Sequence, residues 1–200
     1  MSEENKDKAT TGLQLTPRVR RRTAKEEGFM SEVSTERAKL GYRLGKEEGE
    51  AFWFLGMLET IKISMVDTAG NFGLIEVVVR AGDGSPWHVH PEEDEWFYVL
   101  DGDFTFNVGD ARMSLPAGSF AFGPKGVPHT FIAEPPDGGK ALIGFQPFQF
   151  EGLLREVGEH APERVLPPPL ESPPDLQRLA PIAARNGMEV LGPPGPSPGR

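Results

Sequence analysis

"PWHVHPEEDEWFYVLDG", residues Pro86 to Gly102, sets two of the chain's four histidines one residue apart and follows them with four acidic residues. On a strand, His88 and His90 at i and i+2 point to the same face. Glu95 lies beyond a break that begins at Pro91, on the next strand, where it can turn back to the same point. His129 arrives much later, in "GPKGVPHTF", between a Gly/Pro turn and an aromatic strand. Imidazole nitrogen and carboxylate oxygen suit divalent first-row metals, and binding one needs several such groups to converge. Cysteine is absent, so disulfides and thiolate ligands are excluded, and any metal must be held by imidazole and carboxylate. The fourth histidine, His160, reads as ordinary surface on a tail helix.

Short segments rich in Phe, Val and Ile surround this stretch and alternate with turn clusters, as in all-β sandwiches and barrels. "AFWFLGMLETIKISM" ends at "DTAGN", and "FGLIEVVVR" ends at "AGDGSP". "EWFYVLDG" and "DFTFNVGD" read as a hairpin with Asp101-Gly102 as its turn. "ARMSLPAG", "SFAFGPKGVP", "HTFIAEPPDGGK" and "ALIGFQPFQF" follow, with little helix between them. The pattern predicts an antiparallel jelly roll or barrel over residues 50–150 rather than a βαβ sheet.

The flanks differ from this core. Residues 1–49 are polar and without steady periodicity, and are expected to be a largely disordered extension with a short helix around Ser31–Leu40. Residues 151–200 are expected to be helical, Pro-rich and packed on the barrel. Phe150, Leu153, Leu154 and Val157 form one apolar stripe at helical spacing. A second helix is expected between an N-cap at Ser172 and a stop at Asn186-Gly187, kinked or divided at Pro181.

Charge narrows the function classes. The first fifty residues carry 11 Lys/Arg against 10 Asp/Glu, and the remainder 10 against 20. An acidic body repels nucleic acid and anionic membrane, so neither is an expected partner. The run "RVRRR", Arg18–Arg22, is the one basic cluster and reads as a solvated stretch of the tail. The first residues hold no apolar run of a secretory signal, and no window approaches the ~18 apolar residues of a membrane span. A cytoplasmic protein is expected.

Two spaced motifs now carry a family resemblance. Gly82-(x5)-His88-x-His90-(x4)-Glu95-(x6)-Gly102 resembles the first cupin motif, and Gly118-(x5)-Pro124-x-Gly126-(x2)-His129 resembles the second. Ala133 stands where the second motif commonly ends in Asn, which is not a metal ligand of that pattern. The tail, "FQFEGLLREVGEHA" with a later helix ending in "NGMEVLGPP", is similar to single-domain quercetin 2,3-dioxygenase-like cupins of bacteria.

The resemblance implies an all-β single cupin barrel with one divalent metal ion (Fe, Ni, Mn or Cu, with Zn possible) held by His88, His90, Glu95 and His129. Asp94 is the rival to Glu95, disfavoured by the four-residue spacing. Glu92 and Glu93 read as a solvated loop, with a supporting role at the metal as the alternative for one of them. Glu95 is then ligand and base together: it takes a proton from an enol or phenol hydroxyl before the substrate reacts with O₂.

Candidates for an apolar pocket suited to flat phenolic or polyketide-like molecules are Trp53, Phe54, Met57, Phe104, Phe106, Phe131 and Phe145. Each also reads as barrel core. Trp87, beside His88, is placed at the mouth. The same site without oxygen would serve an isomerase, cyclase or lyase acting on an enolisable substrate. A barrel without catalysis would be a small-molecule-binding protein. A homodimer is expected by analogy with the family.

Overall fold

The structure, a computed structural model, describes residues 41–195. The helix expected at Ser31–Leu40 lies outside the described residues. Within the extension that was expected to be disordered, the Tyr42 hydroxyl donates to the Lys62 carbonyl at 2.9 Å, and Lys62 Nζ donates to the Glu48 carbonyl at 3.0 Å.

The fold is all-β and antiparallel, as the alternating pattern predicts. The strands are β1 (Glu50–Phe54), β2 (Met57–Ile63), β3 (Gly73–Val79), β4 (Trp87–Val89), β5 (Asp94–Val108), β6 (Ala111–Pro116), β7 (Phe120–Gly123), β8 (His129–Ala133) and β9 (Gly139–Gln146). Helix α1 (Phe150–Val157), strand β10 (Glu159–His160), helix α2 (Leu176–Arg185) and strand β11 (Glu189–Gly192) follow. In β3, Ile75, Val77 and Val79 are buried while Leu74, Glu76 and Val78 are half-buried, the two-residue period of a strand with one face on the core.

The residues expected to form a hairpin at Asp101-Gly102 instead form one continuous fifteen-residue strand, β5. Its first half pairs with β7 and β9, and its second half pairs with β6 and β8. Asp-Gly favours a tight turn because glycine accepts positive φ. Here the same property serves a strand that runs on past a bulge. Gly102 has φ +76° and pairs with Gly139 just past the register shift between Val99 and Asp101, and a Cβ there would lie 2.1 Å from the Gly138 carbonyl oxygen. The strand thus passes from one sheet to the other without reversing.

The C-terminal segment is more than helical. β10 adds to the edge of β1, and β11 adds to the edge of β4, so it closes both ends of the strand order β10-β1-β2-β3-β9-β5-β8-β4-β11. His160 therefore sits on an edge strand opposite Phe52 rather than on a helix. The N-cap of α2 is Asp175, whose carboxylate accepts from the backbone N–H of Gln177 and Arg178, each at 3.1 Å. Ser172 is followed by two prolines and lies too far upstream to cap it. Pro181 does not divide the helix, which runs on to Arg185. Among the described residues no helix is long and apolar enough to cross a membrane.

Candidate metal centre

Both sheets contribute to one buried cluster. β4 carries His88, and its ladder with β8 sets His88 directly opposite His129. His90 follows the end of β4. Glu95 comes from the start of β5, where it pairs with Phe145 on β9 and Gly123 on β7. Imidazoles from one sheet thus meet a carboxylate from the other. The two motif loops are also tied together: Gly126 N–H donates to the His90 carbonyl at 2.8 Å, and Lys125 N–H to Asp94 Oδ1 at 2.9 Å. The second bond holds Asp94 at the loop, while Glu95 turns to the histidines.

All three imidazoles present Nε2 to Glu95 Oε2, at 2.7 Å for His129, 3.3 Å for His90 and 3.6 Å for His88. Their Nδ1 atoms face other oxygens. That of His88 lies 2.8 Å from the Pro86 carbonyl, that of His129 lies 2.9 Å from the Val127 carbonyl, and that of His90 lies 2.9 Å from Glu93 Oε2. A carbonyl can only accept, so Nδ1 of His88 and His129 carries the proton and Nε2 keeps its lone pair in the neutral ring. Both ring nitrogens of His90 are buried, and their approaches to Glu93 Oε2 and Glu95 Oε2 are close contacts without a hydrogen bond. The four groups place one donor atom each within 4.8 Å of one another, and none of the residues is more than 4% exposed.

Electrostatics match this geometry. Burial, then the charge of His129, pushes His88 down to about 4, which leaves it neutral. Burial opposes charge on Glu95 as well, but His129, His88 and His90 outweigh it and hold the carboxylate well below the usual range. Burial likewise opposes charge on His90, yet the carboxylates of Glu93 and Glu95 raise it to about 10. One carboxylate facing three imidazoles is a donor set that fits a divalent ion.

Glu93 is not the solvated loop residue that the acidic run implies, whereas Glu92 is exposed. Glu93 is fully buried, and Oε1 accepts from the backbone N–H of Gln149 and Phe150. The N-cap of α1, Gln149, makes no side-chain cap of its own. Glu93 therefore supplies the acceptor for the free N–H groups of that helix start, and its other oxygen rests on His90. Nothing local in "PEEDE" distinguishes this residue from its neighbours, because the helix it caps begins 57 positions later.

The aromatic candidates separate. Phe106 lies 6.0 Å from the His129 ring, and Phe145 lies 5.9 Å from the His90 ring. Phe54 reaches the cluster through Phe150, whose ring is 6.3 Å from His90. Met57, Phe104 and Phe131 are buried in the core. Trp53 donates its indole N–H to the Val165 carbonyl at 2.8 Å, away from the cluster. Trp87 donates to the Gly195 carbonyl at 3.0 Å, on the strand face opposite His88. Phe150 was legible only as the start of a helical stripe, yet its ring stacks on Phe145 at 5.1 Å beside the site.

Residues 75–142 match the cupin domain family. A quercetin 2,3-dioxygenase from Bacillus subtilis (strain 168) is 31% identical over 98 residues, which are 49% of this chain and 29% of that protein. The chain thus spans less than a third of that relative's length. Among solved structures, an RmlC-like cupin from Shewanella frigidimarina is 22% identical, with 56% of this chain and 94% of that one covered and a TM-score of 0.47. A predicted oxalate decarboxylase from Thermotoga maritima is 16% identical, with 53% and 97% covered and a TM-score of 0.48.

Proposed function

This chain is a member of the cupin superfamily, and we propose that it is a metal-dependent, quercetinase-like dioxygenase acting on a small enol or phenol. The observation that carries the proposal is the convergence of three Nε2 atoms on one carboxylate in a buried site. His88, His90, Glu95 and His129 would hold one divalent ion, with Fe, Ni, Mn or Cu expected and Zn as the alternative. A divalent ion there supplies Lewis acidity, which favours the ionised form of an enol or phenol.

The chain's own residues do the rest. The Pro86 and Val127 carbonyls fix the orientations of His88 and His129, and Glu93 lies against the His90 ring, so much of the donor set is arranged before anything binds. Glu95 Oε2, the acceptor on which the rings converge, would take the substrate's hydroxyl proton. Phe106, Phe145 and Phe150 lie beside the cluster and would form the apolar wall met by a planar substrate. A cytoplasmic homodimer is the proposed setting.

Oxygen uptake by the metal-reconstituted protein tests the reaction, with quercetin and simpler enols as substrates. Consumption of O₂ that follows loss of the flavonol absorbance supports the proposal. Metal binding without O₂ consumption on any enol contradicts the oxygenase reading and favours isomerase, cyclase or lyase chemistry at the same site.

A further inference from the structure

Glu59 is a buried carboxyl that the scheme above leaves idle. It lies on β2, paired with Phe52 of β1 on one side and Val77 of β3 on the other. Residues opposite one another on an antiparallel ladder point to the same face. Phe52 and Val77 are both core residues, and so are Met57 and Ile61, two positions either side of Glu59 on its own strand. Its side chain therefore enters the barrel interior, among apolar neighbours, and is 3% exposed.

Glu59 Oε2 is fully buried and has no hydrogen-bond partner among the described residues. Such a group is unfavourable for folding, and an apolar residue of similar volume would pack better. Its electrostatic neighbour is Glu95, the carboxylate of the four-residue cluster. Burial first and the charge of Glu95 second raise the Glu59 carboxyl to about 8 in the metal-free protein, and burial, the larger cause, favours the protonated form with its O–H donor.

We propose that Glu59 is a second recognition group of the barrel, hydrogen-bonding an oxygen of the bound substrate other than the one placed at His88, His90, Glu95 and His129. This rests on the metal reading of that cluster. It also narrows the substrate class to polyoxygenated enols or phenols, with one oxygen at the cluster and another on the β2 wall.

The test uses the full chain loaded with redox-silent Zn under nitrogen, and two probes. Azide reports on the cluster alone, and quercetin, followed by its absorbance, presents several oxygens. Glu59→Met should keep the metal content and azide affinity of the wild type and lose about tenfold or more in quercetin affinity. Glu59→Gln retains a donor and should fall between the two. It carries the test by itself if Glu59→Met does not fold, with a loss confined to quercetin expected.

Equal quercetin affinity in wild type and variants overturns the proposal. So does a parallel loss of azide and quercetin, or no saturable quercetin binding to the loaded wild type. A wild-type protein that takes up no metal is a different result, and contradicts the metal reading itself.

Discussion

Around the histidine cluster, carbonyl oxygens bond Nδ1 of His88 and His129, and His90 Nδ1 lies 2.9 Å from Glu93 Oε2 in an ion-pair contact without a hydrogen bond, whereas on the β2 wall Glu59 Oε2 has no hydrogen-bond partner among the described residues. Both regions bury ionisable groups to below 5% exposure in the same barrel interior. In the first, burial is offset by the carbonyls that orient His88 and His129 and by carboxylates close to the rings. In the second, burial is offset by nothing in the chain, and the group stays neutral instead.

The largest expected effect breaks the first region. His129→Ala or Glu95→Ala removes one of four converging donors, and metal content should fall to background by elemental analysis. Full occupancy in both variants would sink the ligand assignment.

Next comes the pH dependence of the second region, in the metal-free protein. The folded-state value of Glu59 is raised from 4.5 to about 8, so between these values the folded state binds more protons than the unfolded one. The stability Glu59 contributes is fully present below 4.5 and is lost as pH rises through about 8. Its size is on the order of a few kcal/mol. Glu59→Gln should flatten that part of the profile in urea titrations from pH 5 to pH 9. An unchanged slope would place the titrating group elsewhere.

A smaller effect is expected at Glu93, which links His90 to the start of α1. Glu93→Ala should weaken metal binding about 10- to 100-fold. Loss of the helix cap should also cost about 1–2 kcal/mol of stability. Competition with a metal-binding dye reads the first effect, and thermal melting of the metal-free protein reads the second. Movement of only one of the two would break the link drawn between ring and helix. The smallest effect is Gly102→Ala, where positive φ and the nearby Gly138 carbonyl predict a loss of about 1–3 kcal/mol in the same melt.

The barrel was legible because its strands alternate and its two motifs have fixed spacings, which a local reading of "HVHPEEDE" and "GPKGVPHTF" captures. The structure then brings His88, His90, Glu95 and His129 to one place. What escaped the sequence depends on partners distant along the chain. Glu93 looks like its acidic neighbours until α1 docks on it. Glu59 sits in "MLETIKI", and only its ladder partners, Phe52 and Val77, show that it faces the core. Asp101-Gly102 has the composition of a turn, and only the pairing of β5 with both sheets keeps it within one strand. The edge strands β10 and β11 are two and four residues long, too short for any period to show.

The central claim is that the four-residue cluster holds a metal ion. Elemental mass spectrometry on the protein, purified without a histidine tag or chelator, tests it most directly. The account predicts about one equivalent of a first-row divalent metal per chain. No metal, even after reconstitution with Fe, Ni, Mn, Cu and Zn in turn, would contradict it.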